Sequence, residues 1–255
     1  MPQPDTFRPE AGMPLISVQN VQKSYGAFRV LHNVSLSVAR GEKIVVLGPS
    51  GSGKSTLIRC FNRIEPHDAG TIVIDGTTID AAIELTRLRC MVGLVFQNYN
   101  LFPHLTVLEN CTLSPRVVKK LGRAEAESLA MNFLHKVNIA DQAGKYPIQL
   151  SGGQQQRAAI ARALCMQPSV MLFDEPTAAL DPEAVSGVVD IIDSLAADGI
   201  TTIAVTHDMG FARRIADRIL FMDQGRVLED APPEAFFTTP QTERARAFLS
   251  QMLRY

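Results

Sequence analysis

The chain has 255 residues, of which 46% are hydrophobic, and its 25 Lys and Arg residues nearly balance its 26 Asp and Glu residues. That length allows one large domain or two small ones, and the hydrophobic fraction excludes a disordered chain. The formal net charge of −1 argues against a nucleic acid as partner, because nucleic-acid binding depends on a strongly basic surface.

Cysteine usage and hydropathy narrow the class further. Cys60, Cys90, Cys111 and Cys165 lie far apart without a CxxC pair, which suits a reducing cytosol and indicates neither a zinc site nor a disulfide framework. No apolar run approaches the ~18 residues of a membrane span. Residues 1–13 are Pro-rich and polar, which predicts a disordered tail and no secretory signal.

The first half of the chain shows strand patterns. Alternating apolar and polar residues predict half-buried antiparallel strands at 15–21 and 30–38. The β-branched run KIVVL at 43–47 predicts a buried strand, which leads through a glycine-rich turn into a helix at 54–62. Further strands are expected at 71–75 and 92–96.

The second half mixes helices and strands. Residues from about 106 to 165 are rich in Ala, Leu, Glu and Lys with helical periodicity. Strand patterns return at 170–173, 202–205, 219–222 and 226–229, with helices expected at 182–197 and 210–216 between them. Strands alternating with helices predict an α/β fold with a parallel sheet and crossover helices.

A glycine-rich loop carries the first chemical motif. Residues 48–55 fit G-x-x-x-x-G-K-[ST], between a predicted buried strand and a predicted helix. Backbone N–H groups of such a loop bind phosphates, its Lys reaches the β- and γ-phosphates, and its Ser hydroxyl binds Mg²⁺. The predicted phosphate-binding residues are Gly48, Pro49, Ser50, Gly51, Ser52, Gly53, Lys54, Ser55 and Thr56.

Two acidic residues end the strand predicted at 170–173. A carboxylate at the end of a buried strand is costly unless it meets a cation or water. Asp174 is therefore predicted to hold Mg²⁺ near the phosphate loop, where ligands of open α/β sheets bind. Glu175 is predicted to orient or deprotonate the attacking water. Two solvated acids at the start of a loop are the alternative.

Residues 150–157 read LSGGQQQR and carry a family resemblance. Ser151, Gly152, Gly153 and Gln154 lie at the start of a predicted helix at 154–166, and a helix N-terminus binds anions. With this signature between a phosphate loop and an acidic strand, the chain resembles ATP-binding-cassette (ABC) ATPases from residue 15 to about residue 253. In that family the signature turn faces the γ-phosphate of the ATP held by the other subunit.

The resemblance implies further roles. Gln97 matches the family glutamine that touches Mg²⁺ and the attacking water, and His207 matches the histidine that contacts the γ-phosphate. Asp181 matches the loop that communicates across the dimer, although Ala178 stands where many relatives have Ser. Tyr25 matches the aromatic residue that stacks on adenine. Taken alone, Gln97 is explained by a polar residue that ends a strand, His207 by a structural histidine at a strand end, and Tyr25 by packing in the core.

The resemblance also predicts the architecture. It implies a P-loop NTPase core with a parallel sheet, an N-terminal antiparallel β subdomain and an inserted α-helical subdomain at about 99–162. Residues 14–255 would then form one nucleotide-binding domain that uses ATP and Mg²⁺.

The amino-acid sequence at residues 95–110, 154–156 and 205–212 is similar to that of the ATPase subunits of importers of polar amino acids. That likeness implies a head-to-tail homodimer on the cytoplasmic side of the membrane, working with separate permease subunits and a solute-binding protein. Residues 99–109 would receive the permease through Leu101, Phe102 and Leu105, unless these three simply pack inside the helical subdomain.

Three other functions are open at this point. A soluble ABC ATPase of translation or DNA maintenance usually carries a second cassette or a basic arm, and neither is apparent here. A small-molecule P-loop kinase conflicts with the signature motif. An ABC subunit for another solute, such as an exporter subunit, shares every motif above.

Overall fold

The computed structural model describes residues 13–252, so all but the last residue of the predicted N-terminal tail lies outside the described residues. The strands are β1 (Ile16–Tyr25), β2 (Phe28–Val38), β3 (Lys43–Leu47), β4 (Ala69–Ile74), β5 (Thr77–Thr78), β6 (Val92–Val95), β7 (Val170–Asp174), β8 (Thr201–Val205), β9 (Arg218–Asp223) and β10 (Arg226–Ala231). The α-helices are α1 (Lys54–Phe61), α2 (Leu85–Met91), α3 (Val107–Val117), α4 (Arg123–Lys136), α5 (Gly152–Leu164), α6 (Pro182–Ser194), α7 (Met209–Ile215), α8 (Pro233–Thr238) and α9 (Glu243–Met252).

Two sheets organise the chain. The first is antiparallel with the order β2-β1-β4-β5. The second has the order β10-β9-β3-β8-β7-β6, and only its edge strand β10 pairs antiparallel. The central strands β7 and β8 are buried along their whole length, as parallel strands covered on both faces are.

Two apolar clusters stabilise these layers. The larger cluster joins one face of the second sheet, through Phe173 and Phe221, to the helices from α3 to α9. The smaller cluster packs the antiparallel sheet and α1 on the other face, through residues such as Ile16 and Phe61. Helix α1, which begins in the phosphate loop, is therefore fixed between the two sheets.

Several element bounds differ from the sequence-based ones. Strand β1 runs past residue 21 to Tyr25 because bulges, with Asn20 at φ 50°, interrupt the alternation that defines a strand in sequence. The helix expected at 182–197 ends as α6 at Ser194 and continues as a 3₁₀ turn to Asp198. Helices α2, α8 and α9 were not predicted. Within residues 13–252, no helix is both long and apolar enough to cross a bilayer.

Candidate nucleotide-binding site

The candidate residues follow four neighbouring parallel strands. Strands β3, β8, β7 and β6 lie side by side, so their carboxyl ends meet at one edge of the sheet. The phosphate loop follows β3, His207 follows β8, Asp174 and Glu175 end β7, and Gln97 follows β6. This is the edge at which open α/β sheets bind ligands.

Glycine is required at two points of the phosphate loop. A Cβ on Gly48 would lie 2.0 Å from the backbone oxygen of Met222, and Gly48 has φ 149°. Gly53, with φ 97°, precedes α1 in a left-handed conformation, and a Cβ on it would lie 3.0 Å from the backbone oxygen of Val30 in β2. The backbone of the loop is thus held between β2 and β9, with the N-terminus of α1 at its end.

Lys54 is folded onto its own loop. Its Nζ donates hydrogen bonds to the carbonyl oxygens of Gly48 at 2.8 Å and Pro49 at 2.9 Å, and the residue is 8% exposed. Burial lowers the pKa of the Lys54 ammonium, while Glu175 and Asp174 act in the opposite direction. The ammonium is therefore a desolvated cation centred on the loop, where it can bind a phosphate strongly.

Asp174 is buried and held on both carboxylate oxygens. The hydroxyl of Ser55 donates to Oδ1 at 2.7 Å, and Nη2 of Arg59 donates to Oδ2 at 2.9 Å. The two predicted metal ligands, Ser55 and Asp174, thus touch each other. Arg59 was missed in the sequence: its spacing of four residues from Ser55 places both side chains on one face of α1, but that spacing does not identify Asp174 as the partner.

Glu175 adopts a left-handed backbone conformation with φ 54°, which is uncommon for a residue other than glycine. Its Oε2 lies 2.9 Å from Nδ1 of His207, but the two atoms are not aligned for a hydrogen bond. That carboxylate oxygen is buried without a hydrogen-bond partner among the described residues. A buried acceptor left unpaired is expensive, so it marks a place where a water or substrate group fits.

The donor set fits a magnesium–nucleotide complex. Besides Oε2 of Glu175, Oγ of Ser52 is buried without a hydrogen-bond partner in residues 13–252 and lies inside the phosphate loop. Hydroxyl and carboxylate oxygens, as on Ser55 and Asp174, are the ligands that Mg²⁺ prefers. The Ser52 hydroxyl and the Lys54 ammonium can both donate hydrogen bonds to phosphate oxygens.

Two other predicted site residues, Gln97 and Tyr25, are exposed to solvent. Gln97 is exposed after β6. Tyr25, at the end of β1, is 47% exposed, with Nζ of Lys23 5.3 Å from its ring centroid. Burial raises the pKa of the Tyr25 hydroxyl, and Thr56 in the first turn of α1 opposes that shift. Tyr25 therefore lies beside the phosphate-loop helix with part of its ring open to a ligand.

The signature turn begins α5. Ser151 Oγ accepts from the Gln154 backbone N–H at 3.3 Å, and Gln154 Oε1 accepts from the Ser151 N–H at 3.1 Å, which forms a capping box. A Cβ on Gly153 would lie 2.7 Å from Cβ of Ala184, so α5 packs closely on α6. Among residues 13–252, no hydrogen bond joins this turn to the phosphate loop.

Two side chains absent from the sequence predictions connect α5 to the segments that follow β7 and β6. Gln156 is fully buried, and its Nε2 donates to the carbonyl oxygen of Pro176 at 3.0 Å, one residue after Glu175. Arg162 donates to the carbonyl oxygens of Asn100 at 2.6 Å and Tyr99 at 3.2 Å, just after Gln97. No local pattern indicates these bonds, because each partner lies far away in sequence.

Asp181 lies at the far end of the loop that starts at Glu175. It is exposed and occupies the N-cap position of α6, but its side chain makes no capping hydrogen bond. The hydroxyl of Tyr99 donates to the carbonyl oxygen of Ala179 in the same loop at 3.2 Å. Asp181 is thus exposed, while the loop that precedes it is hydrogen-bonded to Tyr99.

A cleft of 440 Å³ lies beside β6, lined by residues that include Leu94, Phe96, Phe102 and Arg162. Phe102 is 42% exposed, whereas Leu101 packs partly against the larger apolar cluster. Leu105 is half-buried. Phe102 therefore lines the cleft, as the docking interpretation expects. Leu101 packs against the core, as the interpretation of internal packing expects.

A glycine-rich loop between a parallel strand and a helix, with a buried lysine and a strand-end aspartate beside its serine, defines a P-loop nucleoside-triphosphatase. A sequence profile of the family described as ABC transporter matches residues 31–178, more than half of the chain. The chain therefore belongs to the ABC transporter family of ATPases. This confirms the resemblance noted from the signature motif.

Individual relatives agree. The chain is 56% identical over 239 residues to the general L-amino acid transport ATP-binding protein AapP of Rhizobium johnstonii, covering 93% of each chain. It is 51% identical to the glutamate/aspartate import ATP-binding protein GltL of Escherichia coli, covering 94% of this chain and all of GltL.

A solved structure of the ATP-binding cassette MJ0796, a dimer bound to ADP and Pi, superposes with a TM-score of 0.79 at 34% identity. It covers 86% of this chain and 98% of MJ0796. The predicted α/β fold class is confirmed.

Proposed function

We propose that this chain is the ATP-hydrolysing subunit of an ABC importer for polar amino acids. The relatives named above are amino acid transport or import ATP-binding proteins, and the chain spans almost their whole length. The observation that carries the hydrolytic part is the meeting of Lys54, Asp174 and Glu175 at one sheet edge. A soluble ABC ATPase of translation or DNA maintenance is not favoured by these relatives.

Each residue at the edge has one proposed task in hydrolysis. The phosphate loop binds the phosphates of ATP through backbone N–H groups, and Lys54 reaches the β- and γ-phosphates. Ser55 and Asp174, with Gln97, hold Mg²⁺, which when bound neutralises charge on the transferred phosphoryl group. Glu175 accepts the proton of the attacking water through its unpaired oxygen, and His207 contacts the γ-phosphate.

Two copies of the chain would complete the site. The signature turn, Ser151–Gln154, begins a helix whose positive end can bind an anion, yet no hydrogen bond joins it to the phosphate loop among residues 13–252. A head-to-tail homodimer brings it to the ATP held by the partner, with Tyr25 on the adenine and Asp181 at the contact. Because only the closed dimer makes these contacts, ATP shifts the population towards closure.

The cleft beside β6 is the proposed docking surface for a permease. Phe102 supplies an exposed apolar side chain there, and Arg162 links the same segment to the signature helix. Closure of the dimer would then move the docked permease. The chain would act on the cytoplasmic side of the membrane, with a separate solute-binding protein supplying the amino acid.

Reconstitution tests this proposal. The chain should be incorporated with its membrane permease into liposomes, and phosphate release from ATP should be measured with and without each polar amino acid and its binding protein. Stimulation by one group of amino acids is expected. Mg²⁺-dependent hydrolysis that no amino acid stimulates would contradict the importer role but retain the ATPase.

A further inference from the structure

The buried carboxylate of Asp174 receives two hydrogen bonds from one helix. Ser55 and Arg59 lie one turn apart on α1, so both side chains reach the end of β7 from the same face. The Asp174 side chain is 7% exposed, whereas the Arg59 side chain is 40% exposed. The carboxylate is thus fixed, with Oδ1 towards Ser55 and Oδ2 towards Arg59.

The backbone of Arg59 is also hydrogen-bonded beyond the helix. Its carbonyl oxygen accepts hydrogen bonds from the N–H groups of Ile64 at 3.0 Å and Glu65 at 3.2 Å, just beyond the end of α1. Its Nε is buried without a hydrogen-bond partner among residues 13–252. The guanidinium of Arg59 forms its ion pair with Asp174, through Nη2.

We infer that Arg59 is a positioning residue for the Mg²⁺ site. It holds Oδ2 so that Oδ1 stays turned to Ser55, which is the orientation that two oxygen ligands of one cation need. A free carboxylate would rotate among several orientations, and ordering it would cost part of the metal-binding free energy. This inference rests on the proposed function, because it presumes that Ser55 and Asp174 bind the metal.

A second aspartate at the end of a strand in the same sheet also pairs with an arginine, but it is not proposed to bind Mg²⁺. Asp223 ends β9, its side chain is 7% exposed, and its Oδ2 accepts from Nε of Arg244 at 2.7 Å. No serine of α1 bonds to Asp223 among the described residues. The pair of Asp223 and Arg244 is therefore a matched structural control for the pair of Asp174 and Arg59.

Calorimetry on the full chain tests the inference. A non-hydrolysable ATP analogue should be titrated into the unchanged chain, R59Q, R59K and R244Q, once with MgCl₂ and once with EDTA. The ratio of the two affinities isolates the contribution of the metal. In R59Q this ratio should fall about tenfold because a charge-assisted hydrogen bond to a ligand is lost, while the affinity in EDTA stays within about twofold.

The other variants separate positioning from charge. R59K keeps the charge but not the planar fork, so its ratio should lie between those of R59Q and the unchanged chain. If R59Q does not fold, the affinity ratio of R59K tests the inference by itself. R244Q should unfold at a lower temperature yet keep the full ratio.

A ratio in R59Q and R59K equal to or above that of the unchanged chain overturns the inference, since Arg59 is then only a counter-charge. If the unchanged chain itself binds no nucleotide, or gains nothing from Mg²⁺, the proposed nucleotide site fails instead.

Discussion

The phosphate-loop edge and the signature turn differ in how they are supported. At the edge, Lys54 bonds to its own loop and α1 clamps Asp174 on both oxygens, so distant segments fix one another. The signature turn is closed by its own capping box and packs on α6, and Ser151 is exposed. Residues 13–252 therefore hold one preformed cradle and one turn that no hydrogen bond joins to that cradle, as expected if the proposed site is completed by a second copy of the chain.

A substitution at the phosphate-loop edge of the sheet should reduce ATP turnover most. Glu175→Gln removes the proton acceptor but keeps the shape, so ATP turnover should fall at least about 100-fold while ATP binding is kept. Phosphate release and nucleotide affinity should be measured together. Glu183→Gln, an exposed carboxylate on α6, is the matched control and should hydrolyse ATP normally. Normal turnover in Glu175→Gln would remove Glu175 from the proposed mechanism.

Lys54→Ala should act on binding. Loss of a buried ammonium that reaches the phosphates should weaken ATP affinity at least about tenfold, measured by calorimetry. Lys145→Ala, at an exposed lysine, should leave the affinity unchanged. Unchanged affinity in Lys54→Ala would contradict the phosphate-loop assignment.

Phe102→Asp should separate docking from catalysis. A charge on this exposed ring position should weaken association with the permease about tenfold, since a buried aromatic anchor is lost from the contact. Hydrolysis by the isolated chain should not change. The membrane-bound fraction of the chain in producing cells measures the effect, with Val117→Asp, 56% exposed on α3, as control. Equal membrane binding by both variants would place the docking surface elsewhere.

Substitutions in two capping boxes should have the smallest effects and test whether the signature turn has more than a structural role. Ser151→Ala and Thr106→Ala each remove the hydroxyl of a capping box, at α5 and at α3. Each should lower the free energy of unfolding by about 1 kcal/mol in urea titrations. Only Ser151→Ala should also reduce ATP turnover, because only that turn is proposed to meet the partner's nucleotide. Equal turnover in both variants would limit Ser151 to a structural role.

Local patterns located most of the candidate site. The loop around Lys54, the acidic end of β7 and the turn at Ser151 are each encoded within a few consecutive residues, so spacing alone identifies them. The strands buried on both faces were also placed within one or two residues. Strand β1 was underestimated because its bulges break the alternation, and the amphipathic α9 was missed because charged residues dominate its surface.

Contiguous glycine, lysine and strand-end patterns are enough to identify the family, the fold class and the residue types proposed to meet the phosphates. Which side chains hold those residues in place is visible only in the folded chain. Arg59 bonds to Asp174 across 115 residues, and Arg162 bonds to Tyr99 across 63. Such pairs arise from the stacking of helices on the sheet, and no periodicity along the chain records which distant carbonyl or carboxylate a side chain will reach.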